Sequence, residues 1–143
     1  AAAAGIAAAD FGARGSALMG LSAARMHHVT PRAVGVAVVA APRRRKTIEL
    51  TDRRAAVRFL VRDLEVMDLE LMETDLGRCL VTTPEQTLLD LSHRAGQRGL
   101  TEDVAAAMRA LAPLCDPEEL EVIAGRQRLG RALGRLRREG LVP

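Results

Sequence analysis

A strand gives way to a helix in the stretch Val81-Thr82-Thr83-Pro84-Glu85-Gln86-Thr87-Leu88-Leu89-Asp90-Leu91. Thr83 can act as the N-cap, Pro84 suits the first helical position, and the Gln86 side chain can reach back to the cap amide. Leucines then recur on one helical face, and Gly96 is predicted to end the helix. The stretch therefore predicts that the chain changes from sheet to helix at Thr83.

Three further helices are predicted downstream. Thr101 can cap a helix whose first turn carries two acids, which favours the helix dipole, and Pro113 ends it. Asp116 followed by proline repeats the capping device, and that helix is predicted to end at Gly125. A last helix is predicted over residues 127–139. The second half of the chain is therefore predicted to be a set of about four helices.

The first half favours β-structure after one short helix. That helix is predicted over residues 22–28, with Ser22 as its N-cap. Residues 33–40 are small, β-branched and continuously apolar, which is typical of a central strand covered on both faces. Further strand candidates are residues 47–50, 57–61, 66–72 and 79–81. The basic segment that follows Pro42 interrupts the apolar pattern, so a hairpin with a basic tip is predicted before residues 47–50.

These elements predict an α+β (mixed α/β) fold, with a small β-sheet from the first half packed against the C-terminal helices. A length of 143 residues suits one compact domain, so residues 1–143 are interpreted as a single domain. Residues 1–15 have little side-chain volume to bury and are predicted to be loosely docked.

Composition excludes several classes of protein. The longest run without a strongly polar residue, 33–42, is far shorter than the ~20 apolar residues that a membrane span needs. Two phenylalanines and no tyrosine or tryptophan leave little for stacking on single-stranded nucleic acid. Cys79 and Cys115 have no cysteine or histidine at zinc-finger spacing, which favours neither a disulfide framework nor structural zinc. Because no export signal is visible, we expect a cytoplasmic protein.

Charge is segregated along the chain, although the net charge is only +3. Residues 1–63 carry 11 basic and 4 acidic side chains, residues 64–121 carry 4 and 13, and residues 122–143 carry 6 and 1. This pattern is compatible with a charged partner, and equally with segments that neutralise one another when they pack.

Two basic features are candidate partner- or DNA-binding sites. On a helical wheel, four arginines of the predicted last helix lie within about 80° of arc, opposite a leucine stripe. They form either a docking face for phosphates or acidic protein, or the solvated face of an amphipathic helix. The basic tip of the predicted hairpin is open to the same two interpretations. The candidate residues are Arg43, Arg44, Arg45, Lys46, Arg128, Arg131, Arg135 and Arg138.

An enzymatic alternative rests on acidic residues. Asp90 and His93 are one helical turn apart, so they can act as a base and its orienter or form a local surface hydrogen bond. The carboxylates available for a divalent metal are Asp63, Asp68, Glu70 and Glu73. No acid-X-Lys triplet of the kind common in nucleases accompanies them. A small metal-dependent nucleic-acid-processing enzyme therefore remains the alternative hypothesis, beside a purely structural module.

Several features, in order along the chain, resemble one known family. They are Leu21-Ser22-Ala23-Ala24, Met26-His27-His28-Val29-Thr30-Pro31, the valine-rich strand, the basic segment and residues 81–91. Over residues 16–139 the chain resembles the C-terminal domain of AbiEi-family antitoxins, the DNA-binding partners of type IV toxin–antitoxin pairs. The family usually has glycine where His28 stands and arginine where Gln86 stands.

The resemblance implies a non-enzymatic bacterial regulator without a cofactor. Its expected partners are a cognate AbiEii-like nucleotidyltransferase toxin, which the domain neutralises, and operator DNA, whose binding supports autoregulation. The family binds operator DNA mainly through an N-terminal winged helix-turn-helix, and we expect no such module within residues 1–143. The resemblance implies no catalytic residues, and the candidate arginines come from the charge pattern alone.

Overall fold

The computed structural model describes residues 15–29, 36–50, 55–74 and 77–143. Within these ranges a six-stranded mixed sheet is followed by four helices, and one more helix lies between the first two strands. The α+β prediction is therefore confirmed. The predictions for residues 1–14 and 33–35 fall outside the described residues.

The sheet combines parallel and antiparallel neighbours. Its strands are β1 (Ala17–Leu18), β2 (Val36–Ala41), β3 (Ile48–Leu50), β4 (Ala55–Val61), β5 (Leu69–Thr74) and β6 (Gly77–Thr82). They lie in the order β3-β4-β2-β1-β6-β5. The pairs β2·β4 and β1·β6 are parallel, and the other neighbours are antiparallel.

The helices are α1 (Gly20–Met26), α2 (Pro84–Arg98), α3 (Glu102–Leu111), α4 (Pro117–Gln127) and α5 (Gly130–Arg138), with a 3₁₀ turn, Ala112–Leu114, after α3. The three predicted N-caps from Thr83 onward are confirmed, but the Gln86 side chain does not reach back to the cap amide, which donates to the carbonyl of Asp68 instead. Thr83, Thr101 and Asp116 each accept a hydrogen bond from a backbone N–H of the first turn. These caps satisfy amides that have no partner inside the helix, which is why the starts could be recognised from sequence.

Three predicted helix boundaries are wrong. Ser22 lies inside α1, and its Oγ accepts the backbone N–H of Val38 at 2.8 Å instead of capping the helix. The helix α2 continues for two residues past Gly96 and ends before Gly99, whose φ is +87°. The helix α4 likewise continues for two residues past Gly125. A glycine with helical dihedrals does not end a helix, which stops where the chain turns to positive φ.

The single last helix predicted over residues 127–139 is wrong, because the structure divides this segment between the end of α4 and the helix α5. Gln127 ends α4, Arg128 adopts the left-handed conformation with φ +57°, and α5 begins at Gly130. The backbone N–H of Leu129 donates to the carbonyl of Ala124 at 2.8 Å across this break. The turn places Leu129 in the same buried cluster as the leucines of α5. Burial of these side chains therefore favours a break that the helical wheel did not predict.

The predicted hairpin between β2 and β3 is wrong, because β4 lies between them. The strand β4 pairs with β2 over six residue pairs, whereas β3 pairs with β4 over three. The longer strand forms more ladder hydrogen bonds beside β2 and takes the interior position, which leaves β3 at the sheet edge. Residues 42–47 are therefore a crossover connection instead of a hairpin turn. The strand predicted from residue 66 begins only at Leu69.

The central strand β2 is covered on both faces, as its composition predicts. Val39 packs in a cluster with Leu18 and Ala23, whereas Val38 packs in a different cluster with Met19. A third and larger cluster lies among the helices. It contains Leu88, Leu89, Leu91, Met108, Leu111, Leu120, Ile123 and Leu136. The leucine run after Thr83 therefore forms the centre of the helical core. Within the described residues, no helix has the length and apolar character needed to cross a bilayer.

Candidate functional site

A buried polar network surrounds the first turns of α2. Gln86 is fully buried, accepts the backbone N–H of Asp68 at 2.9 Å, and donates to Oδ1 of Asp90 at 3.1 Å. Its amide also pairs with the amide of Gln127, with N···O distances of 3.0 and 2.6 Å. Nη2 of Arg62 donates to Oδ1 of Asp90 at 3.2 Å and to Oε1 of Gln127 at 3.3 Å. The network therefore joins the end of β4, the start of α2 and the end of α4.

Asp90 is the charged group at the centre of this network. Its side chain is 5% exposed, and among the described residues its Oδ2 atom has no hydrogen-bond partner. Burial raises the pKa of Asp90, and the charge of Arg62 and the hydrogen bond from Gln86 oppose that shift only in part. His93 is exposed, and no hydrogen bond joins it to Asp90 within the described part of the chain. Neither the predicted base and orienter pair nor the alternative surface hydrogen bond is formed, because Asp90 is buried and its Oδ1 accepts from Arg62 and Gln86.

The four carboxylates considered as metal ligands each contact a different partner. Oδ2 of Asp68 accepts the hydroxyl of Thr83 at 2.7 Å, and Glu73 forms an exposed ion pair with Arg78. Oδ1 of Asp63 accepts the N–H of Glu65, and Glu70 lies 3.9 Å from Nδ1 of His27. In the residues that the structure describes, no group of three or more histidine, cysteine, aspartate or glutamate side chains could hold a metal ion.

A cavity of about 400 Å³ lies beside the buried network, between β4 and the outer face of α2. Its walls include the apolar side chains of Met19, Val38 and Leu91, all of which are buried. Its polar lining is dominated by cations. These are Arg58, Arg62, Arg94, Arg98 and Arg128, and Asp90 is the only acidic residue that lines the cavity in the described structure. The cavity therefore carries a net positive charge.

The arginines of α2 lie close enough to affect one another. Burial, followed by the positive charges of Arg58 and Arg98, lowers the pKa of Arg94 from its ordinary value. Among the described residues, Arg58, Arg94 and Arg98 form no ion pair and donate no side-chain hydrogen bond. A cluster of like charges without acidic partners is an arrangement that an anion can stabilise.

The candidate arginines predicted from sequence do not form one site. Arg43, Arg44, Arg45 and Lys46 are exposed on the crossover between β2 and β3, and the Arg45 guanidinium carbon lies 5.9 Å from the Phe59 ring centroid. Arg128 lies in the turn before α5 and lines the cavity, so it is separated from the helical stripe.

The stripe on α5 is only partly solvated. Arg131 and Arg138 are exposed, whereas Arg135 is half-buried with its guanidinium against Gly96 of α2. A Cβ atom at Gly96 would overlap Nη2 of Arg135, so the glycine permits this close approach. The Nε atom of Arg135 is buried and has no hydrogen-bond partner within the described residues. Arg135 therefore packs between helices instead of presenting its charge freely to solvent.

Of the cavity arginines, sequence reasoning singled out Arg128 but missed Arg58, Arg94 and Arg98. Arg94 and Arg98 are separated by one helical turn, and this spacing is the one signal that could have paired them. Arg58 comes from β4, and its proximity depends on the parallel pairing that places it opposite Val38. No local pattern connects it to α2.

Comparison with known proteins identifies the family. The family model of an antitoxin domain matches residues 16–138, which make up most of the chain. That domain is the AbiEi antitoxin C-terminal domain, and the chain belongs to its family. The resemblance found in the sequence is therefore confirmed. No curated protein matches the chain at a significant level.

A solved structure shares the fold. It is the crystal structure of an antigenic nucleotidyltransferase-like protein from Paracoccidioides brasiliensis, with a TM-score of 0.62 and 12% sequence identity. The alignment covers 87% of this chain and 79% of that chain. At this level of identity, the similarity shows a common fold.

Two departures from the family pattern have a structural counterpart. His28 has φ +62°, a conformation that favours glycine, which gives a physical reason for the glycine usual in the family. Gln86 stands where the family usually has arginine, and in this chain Arg62 supplies the cation that pairs with Asp90.

Proposed function

We propose that this domain is the part of an antitoxin that neutralises a cognate nucleotidyltransferase-like toxin by direct contact, without catalysing a reaction. We further propose that it supports operator DNA binding and autoregulation. The observation that carries this proposal is the family match over residues 16–138. The exposed basic residues support the proposed contacts on physical grounds, because surface charge accelerates association with an oppositely charged partner.

Two exposed surfaces are proposed for these contacts. The first is the crossover loop with Arg43, Arg44, Arg45 and Lys46, and the second is the solvent side of α5 with Arg131 and Arg138. Their guanidinium groups suit either carboxylates of a protein partner or phosphates of DNA.

Toxin neutralisation is tested by titrating the purified chain into its proposed partner, a purified nucleotidyltransferase-like toxin. We expect inhibition that reaches completion near a stoichiometric ratio. Variants Arg131→Glu and Arg138→Glu are expected to weaken binding about 10-fold each, because each replaces attraction with repulsion. Arg109→Glu on α3 is the matched control, since Arg109 is also an exposed helical arginine but lies outside both surfaces. A toxin that stays fully active would refute the antitoxin proposal.

Operator binding is tested by the salt dependence of affinity. Each phosphate that the protein neutralises should contribute about −0.9 to the slope of log K against log salt. Replacing Arg43, Arg44, Arg45 and Lys46 by serine is expected to make that slope less steep. A slope that does not depend on these residues would remove the crossover loop from the DNA site.

The enzymatic alternative makes an opposite prediction. A small metal-dependent nucleic-acid-processing enzyme would turn over DNA or RNA in Mg²⁺ or Mn²⁺, and Asp90→Asn would abolish that turnover. Assays of the purified chain with and without the toxin distinguish the two functions.

A further inference from the structure

The cavity between β4 and α2 has the features of a binding site for a small anion. Arg58 projects from the sheet, and Arg94 and Arg98 project from α2, so positive charge reaches the cavity from two elements. In the described structure these three arginines have no acidic partner, and burial, followed by the positive charges of Arg58 and Arg98, lowers the pKa of Arg94. A phosphate group is the anion that several guanidinium groups bind best through paired hydrogen bonds.

The depth of the cavity restricts the size of the ligand. Asp90, Met19, Val38 and Leu129 all line it, and each is less than 8% exposed. A small molecule that enters the cavity contacts these buried side chains as well as the exposed Arg98. The volume of about 400 Å³ lies in the range of pockets that hold small ligands.

We propose that this cavity binds a small organic phosphate of the size of a nucleoside monophosphate. Arg58, Arg94 and Arg98 bind the phosphate. The buried Met19 and Val38 side chains supply the apolar wall. Ligand binding here is distinct from the toxin and DNA contacts proposed above, which use exposed surfaces.

The proposal is tested by calorimetric titration of the full chain with adenosine and guanosine monophosphates, the corresponding nucleosides, and inorganic phosphate. We expect at least one monophosphate to bind at least 10-fold more tightly than its nucleoside, because the nucleoside lacks the group that the arginines contact. We also expect it to bind at least 10-fold more tightly than inorganic phosphate, which lacks the organic part. Equal affinities for the monophosphate and inorganic phosphate would overturn the proposal.

Single-residue variants test whether the monophosphate binds in the cavity. Arg94→Gln and Arg98→Gln are each expected to weaken monophosphate binding about 10-fold or more, whereas Arg109→Gln on α3, outside the cavity, should leave it unchanged. Arg98 is exposed, so its variant should fold normally, and an unchanged thermal midpoint would verify this. Unchanged affinity in Arg98→Gln, or no binding of any monophosphate at millimolar concentration, would overturn the proposal. Equal loss in Arg109→Gln would assign the interaction to general surface charge and would also overturn it.

Discussion

Nη2 of Arg62 lies 3.2 Å from Oδ1 of Asp90, and this ion pair connects the end of β4 with the second turn of α2. The two residues are 28 positions apart in the chain, and the carboxylate is almost completely buried. Because Gln86 and Gln127 share the same network, the pair also fixes how α4 meets the sheet. The relationship is therefore a structural link between the two halves of the domain.

Removal of the Arg62 cation should show how much free energy the burial of the Asp90 carboxylate costs. Arg62→Ala is expected to lower the free energy of unfolding by about 2–3 kcal/mol at pH 7, because it leaves a buried charge without its partner. Urea denaturation measures the change. Arg78→Ala is the control, since it removes an exposed ion pair and should cost less than about 0.5 kcal/mol. Similar losses in both variants would contradict a special role for the Arg62–Asp90 pair.

The pH dependence of stability should report on Asp90. Since burial raises its pKa in the folded state, the group binds its proton more tightly there than in the unfolded chain, where the value is near 3.8. Its stabilising contribution is present below that pH and is lost as the pH rises through the raised value. The variant Asp90→Asn should therefore gain stability relative to the parent protein as the pH rises from 4 to 8. A constant difference across this interval, measured by denaturation at each pH, would contradict the raised pKa.

The two thiols are expected to be unreactive in the folded protein. Burial raises the pKa of Cys115 to about 12, and its Sγ lies 3.3 Å from the carbonyl oxygen of Leu111. Burial also raises the pKa of Cys79. At pH 8 the thiolate fraction of Cys115 should be about a thousandfold lower than in an unperturbed cysteine. Labelling with a chromogenic disulfide should thus be slow in buffer and rapid in urea, and rapid native labelling of Cys115 would disagree.

Two arginines of α5 should respond differently to the same substitution. Arg135→Glu is expected to lower the thermal midpoint by about 4 °C or more, because it replaces a half-buried guanidinium that packs on Gly96. Arg131→Glu should stay within about 2 °C of the parent protein, since that side chain is exposed. Thermal unfolding followed by circular dichroism measures both. If both midpoints fall equally, the difference in packing has no energetic importance.

Local sequence signals explain what could be predicted about the fold. The helix starts at Pro84, Glu102 and Pro117 depend on caps and on prolines or acids within one turn, so a few adjacent residues contain the necessary information. The apolar β2 was likewise recognisable, because burial on both faces requires continuous small and β-branched side chains. The family resemblance added the antitoxin class, which the match over residues 16–138 supports.

The candidate site was not predictable in the same way. Arg58 and Arg94 come together only because β4 lies beside β2 and α2 packs over that face. The stripe predicted on α5 failed at Arg128, where burial of Leu129 breaks the helix. Neither outcome follows from periodicity, because each depends on contacts between residues far apart in the chain.

The sequence by itself determined the alternation of sheet and helix and the family of this domain, since caps, apolar runs and motif residues act over short distances. Only the tertiary structure decided strand order, the Arg62–Asp90 pair and the arginine-lined cavity. The physical reason is that strand neighbours and ion-pair partners are selected by long-range burial and hydrogen bonding, which many local sequences can satisfy equally well.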